Sequence, residues 1–586
     1  MHKFRVWAPN AKKMTLVVRE GEGAEEQRSL MTGPNDRGWW EMATDAPWGT
    51  EYGYAIDEDA SPNPDPRSAS QPHGVHGFSK LYDQTEFKWT DEGWRGVPLS
   101  GAVLYELHVG TFTSQGTFES AIERLPYLAE LGVTHIEVMP IASFPGEFGW
   151  GYDGVALFAV TENYGGPDGF KRFVDAAHGH NLAVVVDVVY NHFGPVGNYA
   201  TKLGPYLTKM HHTPWGEAMN FEAAGSAEVR RFFCDNALMW MRDFHVDGLR
   251  LDAVHEFMDR SAKHFMEQLS CEVDVLSATV GRKLVLIAES DLNDPRVVLP
   301  VEAGGMGIDA QWSDDFHHAL FTVLSRQPSG MGYYDDFGTM ADLAKSLKDV
   351  FVYDGRYSKF RQRNHGRSPA GLSAHHFVVF LQNHDQVGNR AVGDRIDQIV
   401  GMPRAKIGLA LVLLGPFLPM IFQGEEFAAS TPFQYFADHE DEEMARAVSE
   451  GRKREFAAFG WDADEVPDPE DRATFERSKL NWSELGDGIH AEMLSWVREL
   501  IHLRRSSDEL NNGDLQQEQI EFSEEKRWLI MSRGGFKVMM NIGEEDVDLA
   551  APKGWSVTLS SAPGVMLTGK TVHVPKDTVA ILAIEP

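Results

Sequence analysis

Ionisable side chains stand at the ends of four apolar, strand-like segments of the sequence. The segments are AVVVDVVYNH, GLRLDAVH, LVLIAES and HHFVVFLQNHD, and the polar residues near their ends are Asp187, Asn191, His192, Arg250, Asp252, Glu289, His384 and Asp385. Cleavage of a glycosidic bond needs two carboxyl groups beside that bond, one ionised and one protonated. The set contains the groups that such chemistry requires.

The spacing within the set suggests different roles for its carboxyl groups. Arg250 and Asp252 are two residues apart on one predicted strand, so their side chains share a face. A neighbouring guanidinium keeps a carboxylate ionised, as a nucleophile must be. Glu289 has no cation beside it in the sequence, and we expect it to stay protonated as a general acid. Asp385 is a third carboxylate that can bind sugar hydroxyls and stabilise positive charge.

Each of these residues also has a purely structural explanation. An aspartate after a strand is commonly a helix cap, and His192, His255 or His384 taken singly would be a packed, hydrogen-bonded histidine. The occurrence of suitable residue types at four strand ends, in one chain, is what predicts a site.

The elements that must position these residues are β-rich segments alternating with amphipathic ones. The predicted strands are Ala102–Leu107, Thr134–Met139, Ala183–Val189, Gly248–Leu251, Lys283–Ala288, Ile308–Gln311, His376–Leu381 and Leu418–Phe422. The predicted helices between them include Ser120–Leu131, Asp168–His178, Ala227–Asp243 and Ala341–Leu347. Strands that are apolar on both faces are typical of parallel sheets covered by helices. We therefore predict an α/β fold, a (β/α)8 TIM barrel, with a doubly wound sheet as the alternative.

Shorter strand patterns, punctuated by Gly, Pro, Asn and Asp, lie on both sides of this region. They predict a small β-domain over residues 1–95 and a C-terminal antiparallel β-domain over residues 511–586, with the catalytic barrel and its insertions over residues 96–510.

Composition limits the partners and the location. The 586 residues include 54 basic and 87 acidic ones, a net charge of −33, and such a surface repels nucleic acid and anionic membranes. Two cysteines are too few for a disulfide framework or a zinc cluster. The longest apolar run, Ile407–Phe422, is broken by Pro416 and Pro419, and the N-terminus lacks a signal-peptide core. We expect a cytoplasmic enzyme, monomeric or weakly dimeric, without nucleic acid or membrane partners.

Four segments resemble the signature regions of the α-amylase superfamily of glycoside hydrolases, in that family's order: DVVYNH (187–192), GLRLDAVH (248–255), IAES (287–290) and FLQNHD (380–385). The resemblance implies a retaining mechanism in which Asp252 is the nucleophile, Glu289 the general acid/base and Asp385 the transition-state stabiliser. It implies that the subsite of the transferred sugar is lined by Arg250, His192, His384 and Tyr152. The N-terminal FRVWAPNA resembles the immunoglobulin-like β-sandwich that precedes the barrel in some members.

Further segments resemble one family within this superfamily, the malto-oligosyltrehalose trehalohydrolases: YELHVGTFT (105–113), FGWGYDGV (148–155), HTPWG (212–216), AESDLND (288–294), DAQWSDDFHHAL (309–320) and GEEFAASTPFQYFADH (424–439). This resemblance implies hydrolysis of the α-1,4-glucosidic bond next to the terminal trehalose of malto-oligosyltrehalose. Candidate substrate-binding residues outside the catalytic set are Asp153, His255, Trp215, Asp291, Asp294, Asp315, Phe433, Gln434 and Tyr435.

Two alternatives stay open on the sequence. A glycogen branching enzyme shares the N-terminal sandwich and a YELHVGTF-like start, but generally has Gln where Asp153 stands and lacks TPFQYFADH. A non-catalytic carbohydrate-binding relative would typically lack one of the three carboxylates, all of which are present here. No catalytic cofactor and no metal are expected, because the reaction needs only a proton, a nucleophile and water, and the sequence has no acidic cluster with calcium-loop spacing.

Overall fold

The N-terminal part of the chain is a β-sandwich. A computed structural model describes residues 1–326, 332–457, 462 and 465–584. Its first strands are β1 (His2–Trp7), β2 (Met14–Arg19), β3 (Gln27–Leu30), β4 (Trp39–Thr44), β5 (Glu51–Ile56) and β6 (Ser79–Lys80). They form two sheets, β1-β4 and β3-β2-β5-β6. Buried residues such as Phe4, Val6, Leu16 and Tyr54 fill the space between the sheets, because alternate side chains of each strand face inward.

The central part of the chain is a closed parallel barrel. Its strands and their insertions are β7 (Leu104–Leu107), β8 (His135–Val138), β9 (Ala142–Ser143), β10 (Ala156–Val160), β11 (Ala183–Val188), β12 (Leu207–Thr213), β13 (Gly216–Met219), β14 (Gly248–Leu251), β15 (Val285–Ala288), β16 (Ala310–Trp312), β17 (Asp354–Ser358), β18 (Arg363–Gly366), β19 (Phe377–Phe380) and β20 (Leu418–Phe422). β7, β8, β11, β14, β15, β16, β19 and β20 close the barrel in chain order. The TIM barrel is confirmed, and the doubly wound alternative is wrong.

Helices cover the barrel. They are α1 (Val109–Phe112), α2 (Phe118–Ile122), α3 (Leu125–Leu131), α4 (Gly166–Gly179), α5 (Ala200–Leu203), α6 (Ser226–Asp243), α7 (Phe265–Val280), α8 (Asp314–Ser325), α9 (Met340–Asp349), α10 (His384–Gly388), α11 (Ile396–Val400), α12 (Met402–Leu414), α13 (Glu442–Ala457), α14 (Arg472–Arg477), α15 (Gly488–Arg505) and α16 (Asp508–Asn511). The single helix predicted over Ser120–Leu131 is wrong, because the helix is interrupted between α2 and α3. Pro126 has no N–H to donate and its ring would crowd the carbonyl of Ile122.

The C-terminal part of the chain consists of antiparallel strands. They are β21 (Gln519–Ser523), β22 (Trp528–Arg533), β23 (Phe536–Asn541), β24 (Val547–Ala550), β25 (Trp555–Ser560), β26 (Met566–Thr568), β27 (Thr571–Val574) and β28 (Thr578–Ile584). They form sheets of order β21-β22-β23-β28-β25 and β24-β27-β26. The predicted division at residue 95 falls between β6 and β7, and that at residue 510 falls within α16. Across the described ranges, no helix is long and apolar enough to cross a membrane.

A buried ionic cluster attaches the segment after the sandwich to the barrel. His178 of α4 lies between two carboxylates, with Nδ1 2.8 Å from Asp91 and Nε2 2.9 Å from Asp247. Trp94 stacks on the His178 ring and donates its indole N–H to Asp247 at 2.6 Å. Burial opposes a charge on His178, but the hydrogen bonds to Asp247 and Asp91 outweigh it and raise the pKa of the imidazole. The residues that precede β7 are therefore held to the barrel by a protonated histidine.

Replacement of His178 by glutamine should lower the melting temperature, because two buried carboxylates lose their cation. Loss of one member of a buried ion pair costs about 3–5 kcal/mol. A raised histidine pKa stabilises the fold fully below its unfolded value of about 6.5, and this contribution declines as the pH rises through the folded value. Calorimetry should therefore show the largest difference from the wild type near about pH 6 and a smaller one in alkali.

The matched control is His180→Gln, at an exposed histidine two residues along the chain. It should leave the melting temperature nearly unchanged. A loss in His178→Gln that is equally large at acidic and alkaline pH would contradict the protonated state.

Candidate active site

Three strands bring the sequence-predicted polar residues together at the carboxyl end of the barrel. β11, β14 and β15 are hydrogen-bonded in parallel register, with Asp187 beside Arg250 and Arg250 beside Ile287. The ladder continues past the strands, since the N–H of Asp252 donates to Val188 at 3.1 Å and that of Glu289 donates to Leu251 at 3.0 Å. Asp252 and Glu289 thus leave neighbouring strands at the same level.

The side chain of Arg250 is the centre of this group. Its guanidinium is fully buried, and Nη1 donates to Asp252 Oδ1 at 2.7 Å and to Asp187 Oδ2 at 2.8 Å. Nη2 lies 3.1 Å from Glu289 Oε2, and the guanidinium carbon lies 4.2 Å from the centre of the Trp312 ring. One cation therefore holds three carboxyl groups at fixed positions, and an aromatic face supports it from one side.

Asp252 is held at both carboxylate oxygens. Oδ1 accepts from Arg250, and Oδ2 accepts from the Asn191 amide at 2.7 Å. The side chain is 11% exposed, so it reaches the cleft while its direction is fixed. A carboxylate with two charged or polar donors is preorganised for attack, because its rotamer is already set.

Glu289 occupies a different electrostatic environment. Its Oε2 accepts the backbone N–H of Ala253 at 2.7 Å. Burial raises the pKa of Glu289, Arg250 opposes that rise, and the charges of Asp252 and Asp385 add to it. No cation lies beside Glu289 in the sequence, but Arg250 approaches it through space from the adjacent strand. Even so, burial and like charges favour the protonated form that a general acid needs.

His384, Tyr152 and Asp187 form a hydrogen-bonded chain behind Asp252. Tyr152 donates its hydroxyl hydrogen to Asp187 Oδ2 at 2.6 Å, and His384 Nε2 lies 2.9 Å from the same hydroxyl. The Tyr152 and His384 rings stack at 5.2 Å. Burial raises the pKa of Asp187 to about 7, although Arg250 opposes the shift. The position of the Tyr152 ring is therefore set by two polar side chains, Asp187 and His384.

The rings of His192 and Trp215 form a stacked aromatic pair next to Tyr152. Their rings stack at 4.7 Å with an angle of 4° between them, and Trp215 is 51% exposed. His192 Nε2 lies 3.1 Å from the carbonyl oxygen of Tyr152. Burial lowers the pKa of His192, so the neutral ring is favoured. Exposed aromatic faces next to fixed polar groups are typical of small-molecule sites.

Asp385 lies in the first turn of α10 at the edge of a larger cavity. Its side chain is 42% exposed, with Oδ1 3.6 Å from His384 Nε2 and accepting from Asn389 at 3.1 Å. The cavity measures about 440 Å3. Its lining includes Asp385, Gln386, Asn389, Arg390, Asp394, Glu455 and Phe456. Arg452 of α13 closes this region by donating to the carbonyl of Gly388, the last residue of α10, at 2.6 Å.

Some outer candidates lie near the carboxylates. Asp291 forms an ion pair with Arg361 at 2.9 Å, and both line a small cavity with Asp314 and Phe360. Asp153 follows Tyr152, and burial raises its pKa. His255, Tyr435 and Asp153 are each half-buried.

The side chains of four other candidates are engaged within the protein, although Asp315 also lines the small cavity with Asp314. The Asp315 carboxylate is buried and accepts from the Tyr353 N–H at 2.6 Å and from Asn293 at 2.9 Å. Asp294 caps a helical turn and pairs with Arg296. Phe433 is fully buried and stacks on Trp150, while Gln434 donates its amide to the carbonyl of Val392.

Several residues of this region were not predicted from the sequence. Burial and then the charges of Glu289, Asp385 and Asp291 raise the pKa of Asp314, which lines the small cavity together with its neighbour Asp315. Glu106 of β7 contacts His384. A charged residue inside an otherwise apolar barrel strand was the signal for Glu106, whereas nothing in the sequence shows that Asp314 interacts with Glu289 and Asp385.

Two family models match the chain. The alpha amylase catalytic domain matches residues 81–209, and carbohydrate-binding module 48, the isoamylase N-terminal domain, matches residues 2–69. The crystal structure of a candidate alpha amylase from Salmonella typhimurium superposes with a TM-score of 0.89 at 36% identity, covering 99% of this chain and 97% of that one.

Curated relatives give a finer assignment. The malto-oligosyltrehalose trehalohydrolase of Rhizobium sp. strain M-11 is 47% identical, over 99% of this chain and 97% of its own length. A 1,4-alpha-glucan branching enzyme of Geobacillus stearothermophilus is 29% identical over only 56% of each chain. The barrel, the N-terminal sandwich and the similarity over nearly the full length lead to one conclusion: the chain belongs to the malto-oligosyltrehalose trehalohydrolase family of α-amylase-type glycoside hydrolases.

Proposed function

We propose that this enzyme hydrolyses the α-1,4-glucosidic bond next to the terminal trehalose of malto-oligosyltrehalose and releases trehalose and a malto-oligosaccharide. The observation that carries the proposal is the placement of Asp252 and Glu289 on the two nitrogens of one guanidinium. This placement puts two carboxyl groups at one level of the barrel. Burial raises the pKa of Glu289, which favours its protonated form. The similarity to trehalohydrolases supports the choice of substrate.

The same geometry supports a two-step mechanism with retention. Asp252 attacks the anomeric carbon and forms an ester bond to it, while the glycosidic C–O bond breaks and Glu289 gives its proton to the oxygen that leaves with trehalose. Glu289, now ionised, takes a proton from water, and the resulting oxygen nucleophile displaces Asp252 from the anomeric carbon. Asp385, beside the cleft, stabilises the positive charge that develops on the sugar ring in both steps.

The two cavities that flank the carboxylates suggest where each end of the substrate lies. We assign the glucan chain to the larger cavity of about 440 Å3 beside Asp385, because it can take successive sugar rings. We assign trehalose to the side of Asp314, Asp291 and Arg361, with the half-exposed Phe360 as a stacking face. Charged groups and an aromatic face suit a disaccharide that presents many hydroxyls and no reducing end.

Incubation with maltotriosyl-trehalose is the direct test of the reaction. We expect free trehalose and maltotriose in equal amounts, and proton NMR of fresh product should show the α-anomer of maltotriose first. The matched substrate is maltopentaose, which has the same linkages without trehalose and should be cleaved more slowly. New α-1,6 branches on amylose without trehalose release would overturn the proposal in favour of a branching enzyme.

Replacement of Asp252 by asparagine tests the nucleophile. The amide cannot form the ester bond, so kcat for trehalose release should fall on the order of 10⁴-fold or more, while substrate binding measured by calorimetry persists. The control is Asp45→Asn, at a side chain that is 98% exposed on the N-terminal sandwich and should keep full activity. Activity near the wild-type level in Asp252→Asn would refute its role.

Replacement of Arg361 by alanine tests the trehalose side. The change removes the partner of Asp291, so kcat/KM for maltotriosyl-trehalose should fall about tenfold, whereas kcat/KM for maltopentaose should change much less. Arg296→Ala is the matched control, because Arg296 also pairs with an aspartate of the same loop but lies away from this cavity. Equal losses on both substrates in Arg361→Ala would show that the residue does not recognise trehalose.

A further inference from the structure

Glu106 is a buried carboxylate that directs both of its oxygens at one residue. It lies on β7 inside the barrel and is 1% exposed. Its Oε1 is 2.5 Å from His384 Nδ1, and its Oε2 accepts the backbone N–H of the same residue at 3.0 Å. The ring and the backbone of His384 are therefore fixed from below, at the start of the helix that carries Asp385.

The other ring nitrogen of His384 also acts as a donor. Nε2 is 2.9 Å from the hydroxyl oxygen of Tyr152. The hydrogen of that hydroxyl is committed to Asp187 Oδ2 at 2.6 Å, so the oxygen is left to accept from Nε2. Nδ1 faces a carboxylate and can only donate. Both ring nitrogens therefore carry hydrogen, and His384 is an imidazolium.

Several titratable and charged groups face this imidazolium. They are Glu106 of β7, Glu137 of β8, Asp187 of β11, Arg250 of β14, Tyr152, His108 and Asp385. Burial opposes the charge, while Glu106 and Asp385 favour it, and the balance raises the pKa of His384 to about 9. Arg250 opposes the charge as well but does not reverse the result.

Glu137 is the acidic neighbour of Glu106 inside the barrel and is disposed to hold a proton. The two glutamates lie opposite each other in the register of β7 and β8. Burial and then the charge of Glu106 raise the pKa of Glu137 well above its ordinary value. Within the described part of the structure, Glu137 Oε2 has no hydrogen-bond partner. A proton on Glu137 lets the neighbouring Glu106 keep its charge for His384.

We infer that Glu106 is a positioning residue that keeps His384 doubly protonated and thereby fixes Tyr152 and a positive charge beside Asp385. The effect reaches the nucleophile through one contact chain, from Glu106 to His384, Tyr152, Asp187, Arg250 and Asp252. A neutral His384 would leave Nε2 without its hydrogen or Nδ1 without its donor role, and the Tyr152 hydroxyl would lose its fixed direction. The inference deepens the proposed function and rests on it for the activity assay alone.

The first test is an NMR titration of the ring itself, which needs no turnover. The full-length protein is labelled with ¹⁵N-histidine, and the His384 signals are assigned by their loss in His384→Gln. In the wild type they should show the doubly protonated ring throughout about pH 5.5 to 7.5. In Glu106→Gln, which preserves size and removes charge, the ring should titrate within that window. A neutral His384 in the wild type near pH 7.5 would overturn the inference.

The second test is the ratio of wild-type to Glu106→Gln kcat/KM on maltotriosyl-trehalose at two pH values. A ring that titrates near its ordinary value of about 6.5 loses roughly nine-tenths of its charge by about pH 7.5, so the ratio should grow about tenfold between about pH 5.5 and 7.5. Taking a ratio cancels the pH dependence that Glu289 gives to both proteins. A ratio that is large but independent of pH would mean that Glu106 is only structural, and would overturn the inference.

Glu137→Gln is the matched control, because it removes a carboxyl of the same pair that already carries a proton. Its ratio to the wild type should not change with pH, and its His384 signals should stay those of the wild type. If the wild type releases no trehalose, the proposed function fails, yet the NMR titration still decides the protonation of His384. A melting curve of each variant verifies that the comparison is made on folded protein.

Discussion

The buried guanidinium of Arg250 is the interaction on which the rest of the site depends. A fully buried cation needs anions to replace its water, and here Asp187 and Asp252 accept hydrogen bonds from Arg250 while Glu289 lies in ion-pair contact with it. Removing one partner of such a group costs about 3–5 kcal/mol, so the carboxylates and the arginine constrain each other. The parallel register of β11, β14 and β15 brings Arg250 and these carboxyl groups to the same level of the barrel.

The carboxyl groups around Arg250 lie in different electrostatic environments. Asp252 has a charged donor on one oxygen and an amide on the other, whereas Glu289 is buried among like charges. A similar difference is found deeper in the barrel, where Glu106 accepts a hydrogen bond from His384 and burial raises the pKa of Glu137. In each pair the environment, not the residue type, decides which member is ionised. Glu106 and Glu137 are both buried inside the barrel, where the surroundings screen charge least.

The sequence predicted what depends on periodicity and missed what depends on contacts through space. Runs of apolar residues located the eight strands, and residues two apart placed Arg250 and Asp252 on one face. The proximity of Arg250 to Glu289 needs the pairing of β14 with β15, which no local pattern contains. Asp314 and Asp315 are neighbours at the start of α8 and line the same small cavity, yet the charges of Glu289 and Asp385 act on Asp314 whereas Asp315 accepts the Tyr353 N–H. Phe433 looked like a loop aromatic, but the insertion folds back and buries it.

The contact between α13 and α10 links the width of the cavity beside Asp385 to the position of the Asp385 carboxylate. Arg452 donates to the carbonyls of Gly388 and Arg390, and its helix also supplies Glu455 and Phe456 to the wall of the cavity beside Asp385. α10 has only five residues, so Gly388 lies within one helical turn of Asp385. Any widening of the cavity by an outward shift of α13 must either break the Arg452 hydrogen bonds or pull on the turn that carries Asp385. The room available to a glucan chain and the aim of the third carboxylate are thereby mechanically coupled.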